Sequence, residues 1–226
     1  WIHYMVYYDR LQPRERLRLF YRLALCNILK LKEKYDEAYK VIDEVIQEYP
    51  FAMQARFMRG SILGLMGQEQ DGLKDVPENL TDRSWQEWLR CYYRGLLLFK
   101  LERYEDAEKN LVEELQNAIV SGEDKNIMRM AAALWFLRKG ETHEADGILS
   151  QISDLYDYHA RYLLLVLQLH SEIQKNNPIM IKNLMTKITG FKIVDSKLEG
   201  AVSALKNKDL ALALRFEIDA LLKLAA

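Results

Sequence analysis

A pair of small residues twelve positions apart recurs through the first two thirds of this chain. The pairs are Cys26 with Ala38, Gly60 with Gly72, Gly95 with Ala107 and Ala133 with Ala145. Successive pairs are offset by 34, 35 and 38 residues, and the offsets are the same for first and second members. Self-similarity at this period belongs to stacked helical hairpins, because each unit has a hydrophobic face that only its neighbours can cover. Arrays of this kind rarely perform chemistry. They build a curved surface that holds another chain.

Small residues at this spacing have a physical reason. Two antiparallel helices in one hairpin approach closely only where bulky side chains are absent, and larger neighbours interlock around the crossing. The turn between the two helices is legible in three copies. Lys34-Tyr35-Asp36-Glu37-Ala38-Tyr39 resembles Arg103-Tyr104-Glu105-Asp106-Ala107-Glu108, and the fourth copy reads Gly140-Glu141-Thr142-His143-Glu144-Ala145. Acidic residues there fall in the first turn of the second helix, where the helix dipole favours them.

These residues resemble the tetratricopeptide repeat (TPR) family over roughly residues 19 to 153, in about four copies. The first copy has Leu25, Cys26, Leu29, Tyr35, Ala38, Ile42, Val45 and Pro50 at signature positions, and the third has Gly95, Leu98, Tyr104, Ala107 and Leu111. The second copy departs in its second helix, where Gly72 stands for the usual alanine and Pro77 cuts the helix short. Arginines also stand where the family has aromatic residues or leucine: Arg22, Arg56 and Arg129 in one column, Arg59 and Arg94 in another. The resemblance implies an all-α fold, a right-handed superhelical solenoid of antiparallel helix hairpins. It says little about function, since the family hosts many partners.

The organisation follows from the same frame. Residues 1–12 form an aromatic-rich lead-in with Trp1, Tyr4, Tyr7 and Tyr8, and Pro13 suits the first turn of the helix that follows. Residues 13–153 hold about four hairpins, near 13–49, 52–79, 84–120 and 125–153. Residues 154–226 continue the array in degenerate form. There Tyr158 to Lys175 reads as a helix, Asn177-Pro178 as a break and restart, and Ile179 to Ile188 as its partner. Ser196 to Leu205 and Asp209 to Leu224 read as a last pair, with Asp209 as its cap. The total is about ten to twelve helices. The chain begins at Trp1 rather than Met, which leads us to expect a fragment or a processed form.

Composition narrows the function. Half the residues are hydrophobic, with 4 Pro and 10 Gly, which suits an all-helical chain and argues against disorder. The formal charge of −1 argues against a nucleic-acid partner. No uncharged apolar run is long enough to span a membrane, which needs about 18 residues. Cytoplasmic residence is the expectation. The 2 cysteines, Cys26 and Cys91, fall in non-adjacent repeats, so they read as buried thiols rather than a disulfide.

No catalytic, cofactor or metal motif is present: no phosphate loop, no CxxC pair and no HExxH. His159 and His170 share a helix face, but eleven residues of helix hold them roughly 16 Å apart, too far for one metal. They and His3 and His143 read as ordinary surface or interfacial residues. Asp154 and Asp157 read as capping residues in a turn between hairpins.

Two candidate binding surfaces remain. The resemblance implies that the first helix of each hairpin lines a concave groove. Carried onto this frame, the groove column is Phe20, Leu23 and Asn27, then Phe57 and Ser61, then Tyr92, Leu96 and Phe99, then Met130 and Leu134, with Arg138 at its end. Some family members clamp a terminal carboxylate with a Lys/Asn/Lys/Arg set, of which only Asn27 has a counterpart here. An apolar groove suits an amphipathic helix or an apolar peptide of another protein. Packing of helix on helix, or covering by the chain's own lead-in or final helix, explains the same residues equally well. The second surface is a basic ridge, Arg10, Arg14, Arg18 and Arg22 at four-residue steps, open to an acidic partner, a membrane headgroup layer or RNA phosphate, or to plain solvation with local ion pairs.

The function these features point to is a non-enzymatic interaction module: an adaptor, scaffold or chaperone-like subunit. Two other readings stay open. One is a structural subunit permanently buried in a larger complex. The other is the helical-repeat part of a longer regulatory protein. Homo-oligomerisation is also open.

Overall fold

The structure, a computed structural model, describes residues 11–78, 87–113, 122–153, 155–191 and 195–224. Among these residues there are twelve α-helices and no strand. They pack as six neighbouring pairs. The first pair is α1 (Pro13–Leu31) with α2 (Tyr35–Glu48), and the second is α3 (Met53–Leu65) with α4 (Glu69–Asp75). In the third, α5 (Glu87–Lys100) meets α6 (Tyr104–Glu108), which runs on into one π turn over Lys109–Glu113. The remaining pairs are α7 (Gly122–Lys139) with α8 (Thr142–Leu149), α9 (Tyr158–Gln174) with α10 (Pro178–Thr189), and α11 (Ser196–Lys206) with α12 (Leu210–Leu224).

Local chemistry sets the helix ends. Pro13 opens α1, with Gln12 and Glu15 forming a reciprocal capping box. Asp157, Asn177 and Asp195 cap α9, α10 and α11 by accepting from the amides of the first turn. Asp209 does the same for α12, accepting from the Leu212 amide at 3.0 Å. The expected cap Asp154 lies outside the described residues.

All six hairpins close with one geometry. Glu33, Gly67, Glu102, Gly140, Asn176 and Lys208 each have a positive φ, between 52° and 79°. In every case the next amide donates to the carbonyl five residues back, as from Lys34 to Leu29 at 2.9 Å and from Asp209 to Ala204 at 2.9 Å. This is the left-handed closure that satisfies the last carbonyls of a helix. Four of the six positions are not glycine, and each such residue sits there at a cost of about 1 kcal/mol.

The small residues sit where the helices of a pair cross. A Cβ on Gly72 would lie 2.7 Å from the Gly60 carbonyl oxygen, and one on Gly60 would lie 2.9 Å from that of Gly72. A Cβ on Gly95 would meet the Leu111 side chain at 2.5 Å. The same frame extends further than the expectation of a fading repeat. Each small pair flanks its turn, seven residues before and five after the positive-φ residue. In the sixth hairpin those positions are Ala201 and Ala213, both buried. In the fifth they are Leu169 and Ile181, whose bulk hides the repeat from view in the sequence.

Hairpins stack through the second helix of one on the first helix of the next: α2 on α3, α4 on α5, the π turn on α7, and α8 on α9. Arg59 and Arg94 bind across these joints: Arg59 reaches Asp43 at 2.6 Å, as well as Asp75 of its own hairpin at 2.7 Å, and Arg94 donates to the Val76 carbonyl at 2.7 Å. Arg129 stays within its own hairpin, donating to the Gln151 carbonyl at 3.1 Å. The sixth hairpin departs from this order. Its α11 packs on α9, and its α12 contacts α1, α3, α5, α7 and α9, the first helix of every preceding pair.

Candidate partner-binding surfaces

Most of the predicted groove column is buried: Leu23, Phe57, Ser61, Tyr92, Leu96, Phe99, Met130 and Leu134. The chain's own last helix covers the side on which the first helices meet. The Tyr92 hydroxyl donates to the Leu221 carbonyl of α12 at 2.6 Å, and burial raises its pKa well above the ordinary tyrosine value. Phe99 points elsewhere, edge-on to Tyr104 and Trp135 with ring centres 5.8 and 5.7 Å away. Arg138 stacks its guanidinium over the Tyr104 ring, 3.2 Å from its centre. Asn27 is partly buried, and its side-chain oxygen has no hydrogen-bond partner among the described residues. Phe20 is exposed. The column therefore divides into residues near α12, residues between hairpins, and one on the outside.

Buried charges fix α12 in place. Lys223 Nζ lies 2.8 Å from Glu33 and 3.1 Å from both oxygens of Asp195. Glu33 in turn accepts from the backbone amide and hydroxyl of Ser196 at 3.1 and 2.7 Å. Burial pushes the Glu33 carboxyl upward, but the hydrogen bonds from Lys223 and Ser196 outweigh it and hold its pKa below the ordinary value. Asp219 bonds Lys100 at 2.8 Å and Lys197 at 3.0 Å. Glu217 meets His170 Nδ1 at 2.9 Å with both side chains fully enclosed. His170 is thus interfacial, enclosed between α9 and α12 and not on the surface; its partner lies 47 residues away, which no local pattern reveals.

The basic ridge is partly engaged within its own hairpin. Arg22 bonds Glu44 at 2.6 Å and Glu48 at 2.7 Å, and Arg18 leans on Glu48 at 3.2 Å. Arg14 is exposed. Arg10 lies outside the described residues, as does the lead-in from Trp1 to Tyr8.

One apolar surface escaped the sequence reading apart from Phe20. Along α1, Leu17 is 71% exposed, Phe20 73%, Tyr21 67% and Ile28 50%. They lie opposite Leu19, Leu23 and Cys26, which are buried. The signal was available: a helix apolar on both sides is one whose second side expects cover. Cys26 and Cys91 are buried and not disulfide-bonded. Among the described residues no three His, Cys, Asp or Glu are grouped to hold a metal ion, and no helix is long and apolar enough to cross a membrane. Comparison with protein-family models, curated proteins and solved structures returns no match for this chain.

Proposed function

We propose that this chain is a non-enzymatic protein-interaction subunit, a TPR-like right-handed superhelix of stacked hairpins that joins a larger assembly through its outer surfaces. The observation that carries this reading is the placement of α12. It occupies the side of the array where a peptide-clasping relative would receive its ligand, and it is tied there by Lys223, Asp219 and Glu217. The apolar surface left for a partner is then on the outside. The repeated turn geometry and the glycines at the crossings support the solenoid part of the proposal.

A groove-binding adaptor is the second reading. It is favoured by the fit of one helix, α12, against five others, since a partner helix of similar chemistry could take its place. Affinity capture from native lysate, read by quantitative mass spectrometry, tests the leading reading. A protein retained in near-stoichiometric amount by the full chain is the expected result. Full recovery of the chain as a lone monomer, with nothing retained above control beads, would refute it.

A further inference from the structure

We propose that the exposed face of α1 is a docking site for an amphipathic α-helix of a partner protein, one that carries acidic residues along one edge. The inference rests on the reading of the chain as an interaction subunit and names the surface and the partner's chemistry. Leu17, Phe20, Tyr21 and Ile28 are each at least half exposed and lie within twelve residues, about 16 Å of helix. With the exposed Ala24 between them they form one continuous stripe.

The repeat itself identifies what belongs on the Tyr21-to-Ile28 part of this stripe, whereas Leu17 and Phe20 correspond to the exposed Phe51 and to Gln54. Thirty-four residues on, the positions of Tyr21, Ala24 and Ile28 are held by Ala55, Met58 and Ile62 on α3, all buried. There α2, the second helix of the preceding hairpin, packs on α3. One hairpin further, Ile28 corresponds to Leu97, which is buried and lies where a Cβ on Gly72 of α4 would meet it at 3.3 Å. At both of these joints this face is covered by a helix from the preceding hairpin. On α1 the same face is apolar and exposed. An α-helix laid as α2 lies on α3 fits it.

Charge selects the partner. Arg14 and Lys32 are exposed and eighteen residues apart, five full helical turns, so they stand on the same side of the stripe near its two ends. Arg18 stands between them in sequence, its side chain 65% exposed beside Glu48. That edge carries an exposed cation near each end, with Arg18 shared with Glu48 between them, and an acidic edge on the incoming helix complements it. A second copy fits less well, because antiparallel two-fold pairing of the stripes brings Arg14 of one chain towards Lys32 of the other.

The test uses the full chain with Tyr21 replaced by the photo-crosslinking residue p-benzoylphenylalanine. The probes are a synthetic helical peptide with a leucine face and one glutamate edge, and its twin with lysine in place of glutamate. The glutamate peptide should crosslink and bind at least about fivefold more tightly than the lysine twin, with the difference shrinking in high salt. The double variant Leu17→Glu/Ile28→Glu should lose that binding while keeping the circular dichroism and melting temperature of the parent. Equal binding of the two peptides overturns the proposal. So does dimerisation that the double variant abolishes, which would assign the face to a second copy. Two further results overturn it: preferential binding to phosphatidylserine vesicles, and peptide binding that appears only when residues 1–10 are deleted. A partner captured equally by the parent and the double variant would refute this surface and leave the interaction-subunit reading standing.

Discussion

Replacing Lys223 by methionine tests whether the last helix holds the first. Lys223 is almost wholly buried and bridges Asp195, also buried, with Glu33, whose side chain is about one third exposed. Removing the cation leaves two carboxylates without their counterion. Loss of one member of a buried pair costs about 3–5 kcal/mol. Asp195 keeps the amides of Lys197 and Leu198, and Glu33 can turn towards water, so the lower end of that range, about 3 kcal/mol, applies here. In a chain of this length that corresponds to a fall in melting temperature of roughly 6–12 °C. Glu33 and Lys223 are 190 residues apart. Effects in a simple linear array stay with neighbouring repeats, whereas here hydrogen exchange should quicken at both the Glu33 turn and α12. A double-mutant cycle with Glu33→Gln should give a coupling of about 1 kcal/mol or more in urea unfolding. The pH dependence carries the same information. Because the folded Glu33 pKa is depressed, its stabilisation is complete above the ordinary value of 4.5 and is lost as pH falls through the lower folded value. The Lys223→Met variant should lose less stability in that acid window. An unchanged melting temperature, or a coupling indistinguishable from zero, would refute the idea that α12 is tied to α1.

Lys30 is fully buried near Cys26 and the Tyr93 ring, and burial pushes its pKa from 10.5 down to about 8, so its charged form costs on the order of 3 kcal/mol at neutral pH. Lys30→Met should therefore be stabilising by about 1–3 kcal/mol in urea unfolding, with a lower stability than the parent as the refuting result. With a depressed folded pKa, the parent should also gain stability as pH rises above about 8, a gain the variant lacks; Cys26, raised from 9.0 to about 11, acts with the opposite sign above pH 9, so the effect is read between 8 and 9. Tyr92→Ala removes a fully buried ring and its bond to Leu221 and should cost about 3–5 kcal/mol by calorimetry; a variant that melts like the parent yet loses a partner would return the function to the groove.

Much of this fold is legible in the residue order, because close helix crossings admit few residue types. Gly60, Gly72, Gly95 and Ala107 mark four members of the repeat, and the helix limits near Pro178 and Ser196 follow from cap chemistry. Ala201 and Ala213 carry the same twelve-residue spacing, but Leu169 and Ile181 interrupt the run before them. The turn residues are harder to see. Glu33, Glu102 and Lys208 adopt positive φ because the helix closure holds them there, not because their side chains favour it; of the non-glycine residues only Asn176 is a type at home in that region. The inward position of α12 depends on pairs such as Glu33 with Lys223 and His170 with Glu217, whose spacing in the chain follows no local rule. The candidate column was legible as apolar, but whether a partner or the chain itself covers it is decided at that range. Phe99 shows the same limit: its helix position suits the column, yet its ring lies among Tyr104 and Trp135.

The charges on α12 bear on which of its surfaces can be shared. Leu210–Leu224 is apolar over most of its circumference, and an apolar helix laid across five others could settle in several registers with similar burial. Three charged residues remove that freedom, because each has partners on different helices. Glu217 meets α9, Asp219 meets α5 and α11, and Lys223 meets α11 and the turn after α1. A shift of one turn would strand all three in the interior, at a cost of several kcal/mol. A helix from another protein that displaced α12 would face the same demand: two acids and a base spaced as Glu217, Asp219 and Lys223 are. An amphipathic helix on the outer face of α1 meets no buried charge and needs only an apolar side and an acidic edge. The energetic asymmetry favours the outer face of α1 over displacement of α12 for the docking proposed above.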